Sequence, residues 1–597
     1  MRTQGIFAIF LSVVGVSTTN SSQSCKCIPG ETCWPSQADF ASLNKTLAGR
    51  LIQGIPPGSV CYTSQPNYNI SACETVLRSW FSSTFHASNP ISIGWPWWAN
   101  NPCPPIFPNG TSVTGDQQAG TKGCTIGSYP VYAVNATEAK HVKAAVNFAR
   151  LKNIRLNVKS TGHSFQGRST GFGTISIWTH NMRGIKWHDD FKPDSCSLKS
   201  PQMAATIAAG ERVRDVYTAA ASHNAIVVAG SAQDVGIMGW FSGGGHGPLS
   251  STYGLGVDNV LQAKLITPSG DLLTLNPCLN SDLFWAIRGG GGSTFGVLTE
   301  VTMKAYPSPR TSRHRLVLAL ANPENETGYW DLLAYILSES PRLKAGGLQG
   351  YGSINPPVPG VPSSTWTLYW GLNVYDKPNG TIESLFAPIK KKLDLENGTT
   401  IIYSSSVMNF PDFFTAWNAS VTNEAVATAG ISMGSRLIPA APLTQDRQHL
   451  ARVLRNLTMA AEGEPPAGML PCFVANNQTG LKGDVSVTPA WRDAVAHVMV
   501  GEDFRDSATF AEAKPLIDRV TYERVGALKN LAPESGAYFN EADPFDPDWQ
   551  YNFWGDNYPR LRAIKKRIDP SGLLWCFSCV GSEDWAQTGS GQLCPKP

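Results

Sequence analysis

The sequence predicts an α+β fold with more than one domain, on three observations. The chain has 597 residues, and a single hydrophobic core rarely grows beyond about 250–300 residues. Between about residues 125 and 308, segments with helical spacing of apolar residues alternate with strand-like segments. From about 310 to 530, strand-like and helical stretches mix again, which predicts a sheet with helices on one face, closing over the first domain.

The first 19 residues have the character of an export signal. Arg2 supplies a positive start, residues 6–16 form an apolar run, and Ser17-Thr18-Thr19 offer small residues for cleavage. The run is too short to span a bilayer; an uncleaved anchor is the alternative interpretation. Since no later segment is long and apolar enough for a membrane helix, we expect a secreted protein without a membrane partner.

Glycosylation sequons agree with export. Their number favours a glycoprotein surface, although single sequons arise by chance. The sequon asparagines are Asn20, Asn44, Asn69, Asn109, Asn135, Asn325, Asn379, Asn397, Asn418, Asn456 and Asn477.

The cysteines predict disulfides. Seven of the thirteen lie between residues 25 and 124, so we expect residues 20–124, rich in Pro and Cys, to be a disulfide-tied extension without a core of its own. The odd count leaves at least one thiol free or bonded elsewhere. Cys576-Phe577-Ser578-Cys579 lacks partners for a zinc site and a βαβ signal for a redox site, which favours a structural disulfide and no metal.

Elements of the first region can be read in order. Apolar residues at helical spacing from Val142 to Ala149 follow a capping candidate, Thr137. Ile154, Leu156 and Val158 alternate with polar residues and predict a strand. Further along we predict a helix over 213–220, a buried strand over 226–228, a hairpin over 265–275 and a strand over 296–304. Later predictions are strands over 314–320 and 365–374 and helices over 446–457 and 560–567.

Glycine-rich segments carry most of the functional information. In Lys159-Ser160-Thr161-Gly162-His163-Ser164, the histidine follows a predicted strand in a tight turn, where its side chain can point into a cleft. In the loops over 242–247 and 289–292, backbone N–H groups can approach a phosphate because no Cβ blocks them. A single such loop is most often a surface connection. Three in about 180 residues indicate a flavin held from two sides, and therefore a redox enzyme.

Other enzyme classes fit less well. The dinucleotide pattern G-x-G-x-x-G fails, because its last position is Pro248, Thr294 or Phe295. The hydrolase pattern G-x-S-x-G occurs over 167–171 and 430–434, without the helix that must follow the nucleophile. A net charge of +3 without a basic stripe argues against nucleic acid as a partner.

These residues resemble the vanillyl-alcohol-oxidase type of flavoenzymes, in particular the berberine-bridge-enzyme-like group and its secreted fungal oxidases, often labelled isoamyl alcohol oxidases. The resemblance rests on the His163 turn, on segments 253–259 and 295–299, and on Ala537-Tyr538-Phe539-Asn540 and residues 554–558. It implies a PCMH-type FAD-binding domain of two α/β subdomains (125–308). It also implies a substrate domain (309–530), with an antiparallel sheet covered by helices, and a C-terminal segment (531–597) returning to the FAD domain.

The resemblance also implies site residues. FAD would be attached through a ring nitrogen of His163. Many relatives add a second bond from a cysteine where this chain has Ala232 beside Ser231, so we expect a single covalent link. Tyr538 is implied as the catalytic base, with a core tyrosine as the alternative; Trp240 and Tyr369 are candidates for lining the pocket. The other implied FAD-binding residues are Lys159, Ser160, Thr161, Gly162, Ser164, Gly236, Ser242, Gly243, Gly244, Gly245, Gly247, Asp258, Gly296, Val297 and Asn557.

The implied function is that of an FAD-dependent oxidase. Hydride would pass from an alcohol or a secondary metabolite to FAD, and O2 would reoxidise the flavin to give H2O2. The alternatives are oligosaccharide oxidation and a flavin-binding secreted glycoprotein without turnover. We expect a small-molecule substrate and O2 as partners, and a monomer.

Overall fold

A computed structural model of the chain describes residues 24–197, 201–358, 361, 363–421, 424–459, 467–473 and 484–596. The predicted signal (1–19) and the sequons at Asn20 and Asn477 lie outside these residues. Mixed helices and antiparallel sheets give the α+β fold that the sequence predicts.

The segment before residue 125 packs onto the rest of the molecule. Its elements are α1 (Gln37–Thr46), β1 (Leu51–Gln53), α2 (Ile70–Ser79), α3 (Ser83–Ser88) and α4 (Ala119–Lys122). Phe40, Leu43 and Leu47 join the largest hydrophobic core. Buried side chains around Cys61 and Cys103 form a separate small cluster, so the expectation of an extension without its own core was wrong.

Six disulfides connect twelve of the cysteines. Most of them are local, whereas Cys25 pairs with Cys594 and ties the extension to the C-terminal end. The predicted bond between Cys576 and Cys579 is present. The side chain of Cys472 lies outside what the structure describes. The other pairs are Cys27–Cys33, Cys61–Cys73, Cys103–Cys124 and Cys196–Cys278.

A four-stranded sheet comes first in the chain. Its order is β1-β2-β4-β3, with β1 antiparallel and the other three parallel. The predicted cap of α5 was off by one residue: Glu138 precedes the helix, without a side-chain capping bond. The Thr137 N–H points instead to His141 Nδ1, at 3.3 Å. The bounds are β2 (Tyr132–Asn135), α5 (Ala139–Leu151), β3 (Leu156–Lys159) and β4 (Ile175–Trp178).

A six-stranded antiparallel sheet follows. Five strands have the order β5-β6-β10-β8-β9, and β7 pairs with the end of β10. The predicted hairpin is the β8–β9 pair. The bounds are β5 (Ile185–Phe191), β6 (Gln202–Ala208), α6 (Val213–Ala221), β7 (Ala225–Val227), α7 (Ile237–Ser242), α8 (Ser250–Tyr253), β8 (Val260–Ile266), β9 (Leu272–Leu275), α9 (Ser281–Ile287) and β10 (Val297–Pro307).

A seven-stranded antiparallel sheet forms the next layer, in the order β14-β11-β13-β12-β16-β17-β15. One face packs in a second core under helices, as the sequence predicts. The bounds are β11 (Thr311–Leu320), α10 (Glu326–Ser338), α11 (Ser340–Ala345), β12 (Gln349–Asn355), β13 (Thr367–Tyr375), α12 (Thr381–Glu396), β14 (Ile401–Phe410), α13 (Phe413–Asn418), β15 (Gly430–Pro439), α14 (Ala440–Thr444), α15 (Arg447–Thr458), β16 (Met469–Phe473), β17 (Ala494–Phe504), α16 (Phe510–Asp518) and α17 (Val525–Leu531).

The last segment returns to the first core, which includes Tyr538, Trp554 and Leu561. Its elements are α18 (Trp549–Trp554), α19 (Tyr558–Ile568), β18 (Trp585–Gln587) and β19 (Leu593–Pro595). Within the described part of the chain, no helix has both the length and the apolar character needed to cross a membrane.

Removing the Cys25–Cys594 disulfide should destabilise the protein more than removing Cys27–Cys33. The first closes a loop of 569 positions and the second a loop of six, and loop entropy favours the longer closure by about 4 kcal/mol. The measurement is the thermal midpoint of Cys25→Ser/Cys594→Ser against Cys27→Ser/Cys33→Ser at one scan rate. Equal midpoints would contradict the expectation.

Asp543→Asn should stabilise the protein near neutral pH. Asp543 is 2% exposed, its Oδ2 lacks a partner among the described residues, and burial raises its pKa to about 6. A pKa raised on folding contributes stability below about pH 4 that disappears as pH rises through about 6, a change of roughly 3 kcal/mol. The variant should melt about 2 °C higher at pH 7.5 and like wild type at pH 4. An equal difference at both pH values would contradict this assignment.

Candidate active site

A cavity of about 380 Å³ lies where the four-stranded sheet, the six-stranded sheet, the seven-stranded sheet and the C-terminal segment meet. The turn after β3 and helix α7 form one side. Tyr351 on β12, Leu470 on β16 and Met499 on β17 reach it from the face of the seven-stranded sheet opposite the covering helices. The predicted residues that line it are Ser160, Thr161, Gly162, His163, Ser164, Ser231, Ala232, Gly236, Trp240, Ser242 and Tyr538.

His163 lies in the wall of this cavity. The preceding Gly162 has φ +83°, and a Cβ there would lie 3.1 Å from backbone atoms of the N-terminal extension, so the turn requires glycine. His163 Nε2 lies 2.6 Å from Oε2 of Glu424. The rings of Trp95 and Phe165 meet the imidazole edge to face. The ring is therefore held by one strong polar contact and two aromatic walls.

The two partners shift each other's pKa. Burial alone would lower the pKa of His163, but the charge and hydrogen bond of Glu424 outweigh it and the pKa is raised. Burial would raise the pKa of Glu424, and the histidine outweighs it in turn, so that pKa is lowered. The pair therefore favours an ionised carboxylate beside the ring.

Helix α7 presents backbone to the cavity. Gly236, Gly239 and Ser242 line it, and Gly292 and Ser293 add backbone from the next glycine segment. A Cβ added at Gly239 would meet no heavy atom within 4 Å. The wall is therefore flat here and leaves room for a ligand.

The glycines after α7 are closely packed against other parts of the wall, and their predicted contact with a phosphate stays a prediction. A Cβ at Gly243 would lie 2.8 Å from the side chain of Asn540, and one at Gly245 would lie 3.0 Å from the Trp240 indole. At Gly244 it would lie 3.3 Å from the Tyr538 ring, and at Gly247 1.9 Å from the Ala229 carbonyl oxygen. None of these four glycines lines the cavity. A side chain at any of them would collide with a neighbouring part of the wall, so glycine is required there for close packing.

The Trp240 side chain is locked into the wall. Its Nε1–H donates to the carbonyl of His246 at 2.8 Å. The residue is 6% exposed, and its ring packs against Gly245 and Gly256. Its own carbonyl accepts from the hydroxyl of Tyr538 at 3.2 Å. The indole N–H and the backbone carbonyl of Trp240 therefore both have partners within the protein.

Tyr538 is fully enclosed beside the cavity. Its hydroxyl donates to the Trp240 carbonyl and accepts from Asn540 Nδ2 at 2.8 Å. Burial raises its pKa well above the ordinary value. The phenol therefore stays protonated, which matches the alternative of a bonded core tyrosine better than that of a base.

Arg168 contributes a buried cation. Its guanidinium lies 3.5 Å from the centre of the Phe539 ring and donates to the Phe539 carbonyl at 2.9 Å and to Asn540 Oδ1 at 3.3 Å. Burial lowers its pKa to about 9. Among the residues that the structure describes, no carboxylate pairs with it and its Nε has no partner. A bound group with negative charge would satisfy it.

His246, His497 and Glu541 form a second polar cluster. His246 Nε2 lies 3.0 Å from Oε2 of Glu541, and His497 Nδ1 lies 3.5 Å from the same oxygen. Burial lowers the pKa of His497 to about 3. Burial would raise the pKa of Glu541, but His246 outweighs it and the pKa is lowered. The sequence predicted no metal site, yet the three ligand atoms lie within 4.8 Å of one another. His246 is hydrogen-bonded to the carboxylate, whereas both ring nitrogens of His497 are buried without a hydrogen-bond partner among the described residues.

Several predicted residues lie away from the cavity. Lys159 Nζ donates to three backbone carbonyls of the extension, the nearest at 2.7 Å. Asp258 pairs with Arg492 at 2.7 Å, and Asn557 Nδ2 donates to the Val487 carbonyl at 2.8 Å. These polar groups form hydrogen bonds or ion pairs within the fold and do not reach the cavity.

Three other predicted residues also lie outside the cavity lining. Gly296 packs against Leu265, Val297 begins β10, and Tyr369 is 40% exposed.

Four side chains at the cavity were missed as functional candidates: Arg168, His246, Glu424 and Glu541. His246 stands in the glycine loop and Glu541 follows Asn540 directly, so both lay within reach of the motifs. Glu424 has no local signal, since it lies 261 positions from His163.

The cavity fits FAD. Open space faces Gly239, His163 stands in the wall, and the Arg168 Nε is buried without a partner. The backbone around Gly236–Ser242, the turn over 160–164 and His163 would hold the cofactor. The isoalloxazine system is flat and polar at one edge, which suits a flat wall with one buried cation.

Comparison with known proteins agrees with this fit. Residues 130–276 match the family model of an FAD binding domain, and residues 537–576 match the model "Berberine and berberine like". The chain is 34% identical to the FAD-linked oxidoreductase apf9 of Gibberella fujikuroi, over 96% of both chains. The VAO-type flavoprotein MtVAO713 of Myceliophthora thermophila C1 is 30% identical with a TM-score of 0.88, covering 96% of this chain and all of that one.

More distant structures share the fold. A glucooligosaccharide oxidase of Acremonium strictum is 19% identical with a TM-score of 0.61, covering 76% of this chain and 92% of the other. The description of that enzyme includes a 6-S-cysteinyl, 8α-N1-histidyl FAD.

The glycines should fall into two groups on substitution. Gly239→Leu puts a side chain into open space on a helix, so the protein should fold while bound flavin falls several-fold. Gly247→Ala collides with the Ala229 carbonyl, so it should lower the thermal midpoint and the yield. The measurements are flavin absorbance per protein and thermal midpoint. Full flavin in Gly239→Leu together with a wild-type midpoint in Gly247→Ala would overturn this division.

Proposed function

Because this chain belongs to the FAD-linked oxidoreductases of the vanillyl-alcohol-oxidase and berberine-bridge-like type, we propose that it is a secreted oxidase with covalently bound FAD. In the proposed reaction, a hydride passes from an alcohol or a secondary metabolite to the flavin. O2 then takes up the electrons and gives H2O2.

One observation carries the proposal: a single cavity contains both an attachment point and an ionised acid. His163 stands in one wall, and Glu541 faces the same space. When bound, FAD supplies a two-electron acceptor. Oxidation of an alcohol also releases the hydroxyl proton, so a group that accepts a proton must lie within reach.

Glu541 is the better proton acceptor of the two candidates. Its lowered pKa keeps it ionised, and its contact with His246 provides a second group to share the proton. Tyr538 has a raised pKa, and its hydroxyl donates a hydrogen bond to the Trp240 carbonyl, so the phenol is not free to accept a proton. We assign the proton transfer to Glu541 and His246, and to Tyr538 the positioning of Asn540.

The lining favours an apolar substrate. Met238, Leu298, Leu470 and Met499 face the cavity beside Phe165. Polar side chains such as Ser164, Asn540 and Glu541 also line the cavity, and a few such groups are enough to orient the one hydroxyl group that is oxidised. A hydrophobic alcohol or a secondary metabolite with a hydroxyl group therefore fits better.

Export is part of the proposal. None of the nine described sequon asparagines is buried, so each is open to glycosylation. Six disulfides agree with an oxidising compartment. We also propose that the enzyme acts as a monomer.

The proton assignment can be tested with two variants. Glu541→Gln should slow flavin reduction by substrate roughly 10²–10⁴-fold and remove the loss of rate on acidification that reflects protonation of the carboxylate. Tyr538→Phe should keep the rate within about tenfold, because only a positioning contact is lost. Anaerobic stopped-flow reduction across pH measures both. A fast Glu541→Gln and a slow Tyr538→Phe would reverse the assignment.

The substrate class needs its own screen. H2O2 release should be found with apolar alcohols or hydroxylated polyketides, and not with oligosaccharides. A flavoprotein that only sugars reduce would contradict the substrate class. One that no substrate reduces would favour a binding glycoprotein.

A further inference from the structure

We propose that Glu424 drives the attachment of FAD to His163, by fixing the imidazole tautomer and accepting its proton. The inference rests on the proposed covalent link. Glu424 acts through His163, so it is a positioning residue for a self-catalysed modification.

The contact has the geometry for this role. The distance of 2.6 Å between Nε2 and Oε2 is that of a charge-assisted hydrogen bond. The histidine side chain is 11% exposed and that of the glutamate 34%. Since the carboxylate accepts only, the ring must carry its proton on Nε2. The raised pKa of His163 favours the charged ring. The neutral form, which is the one that can attack, keeps its proton on Nε2 and has its lone pair on Nδ1, the nitrogen that remains for the flavin.

Other acids near His163 are already engaged. Asp234 accepts from the hydroxyls of Ser83 and Thr84, and pairs with Arg212 at 2.9 Å. Glu541 pairs with His246. Among the described acids, Glu424 alone is paired with His163.

The N-terminal extension holds both partners in register. The Gly94 N–H donates to the Gly162 carbonyl at 3.0 Å, and the Gly94 carbonyl accepts from the Ala427 N–H at 2.7 Å. Ser82 forms a bridge with Ala425. One glycine therefore joins the turn that bears the histidine to the segment that bears the glutamate.

The chemistry balances with O2 as the oxidant. On attachment, one C–H bond of the flavin 8-methyl group would break and its proton would pass to water, while Nδ1 would form a bond to that carbon. The C–H electron pair reduces the isoalloxazine by two electrons. The alkylated imidazole passes its Nε2 proton to Glu424. O2 then reoxidises the flavin and is released as H2O2, one per attached FAD.

Glutamine at 424 tests the charge, since it keeps the size of the side chain and can still contact Nε2. Glu424→Gln should bind FAD and keep the wild-type thermal midpoint, yet form the covalent link roughly a hundredfold more slowly or less completely. The readout is flavin in the acid-washed protein pellet over time after FAD is added to flavin-free protein. Glu424→Asp, which keeps the charge with a longer contact, should be intermediate. It also serves as the test if the glutamine variant does not fold.

Controls separate this inference from the proposed function. His163→Ala should yield no pellet-bound flavin; flavin remaining there would refute His163 as the attachment point. Glu523→Gln makes the same change at an exposed glutamate that does not line the cavity, and it should attach FAD at the wild-type rate. Attachment in Glu424→Gln at the wild-type rate would overturn the role of the Glu424 charge and leave the covalent link itself intact.

Discussion

The candidate active site depends on one contact, the partly buried hydrogen bond between the imidazole of His163 and the carboxylate of Glu424. Each group alone would be costly to bury as an ion, and together they compensate each other. The partners come from distant parts of the chain, and the disulfide-tied extension bridges them through Gly94. The extension therefore helps to position the two partners, and the Cys25–Cys594 disulfide ties it to the C-terminal end of the chain.

Charged groups are also few in the rest of the cavity. Apolar side chains and bare backbone make up most of the wall, and a few charged groups stand at fixed points. Glu541 is balanced by His246, whereas Arg168 has no anionic partner among the described residues. An unbalanced buried cation is stable only if a ligand or the backbone compensates it. The arrangement therefore suits a cofactor that becomes more negative as it is reduced.

Much of the fold could be predicted from sequence, because its signals are local. The strand predicted over 154–158 and the hairpin turn at Pro268 are both recognisable from the types of neighbouring residues. The His163 turn could be located for the same reason, because its glycine follows a predictable strand, and the structure places it at the cavity. The packing around the loop at Gly243 could not be predicted, since its glycines make room for Asn540 and Tyr538, which come from the far end of the chain. The contact of Glu424 with His163 could not be predicted for a related reason, because only tertiary packing brings the two residues together.

The central claim is that a nitrogen of His163 carries the flavin. The most direct measurement is peptide mapping by mass spectrometry of the protein purified from culture medium. The account predicts that the peptide containing His163 carries the added mass of FAD, and that fragmentation places this mass on the histidine. An unmodified His163 peptide, or flavin attached to another residue, would contradict the account.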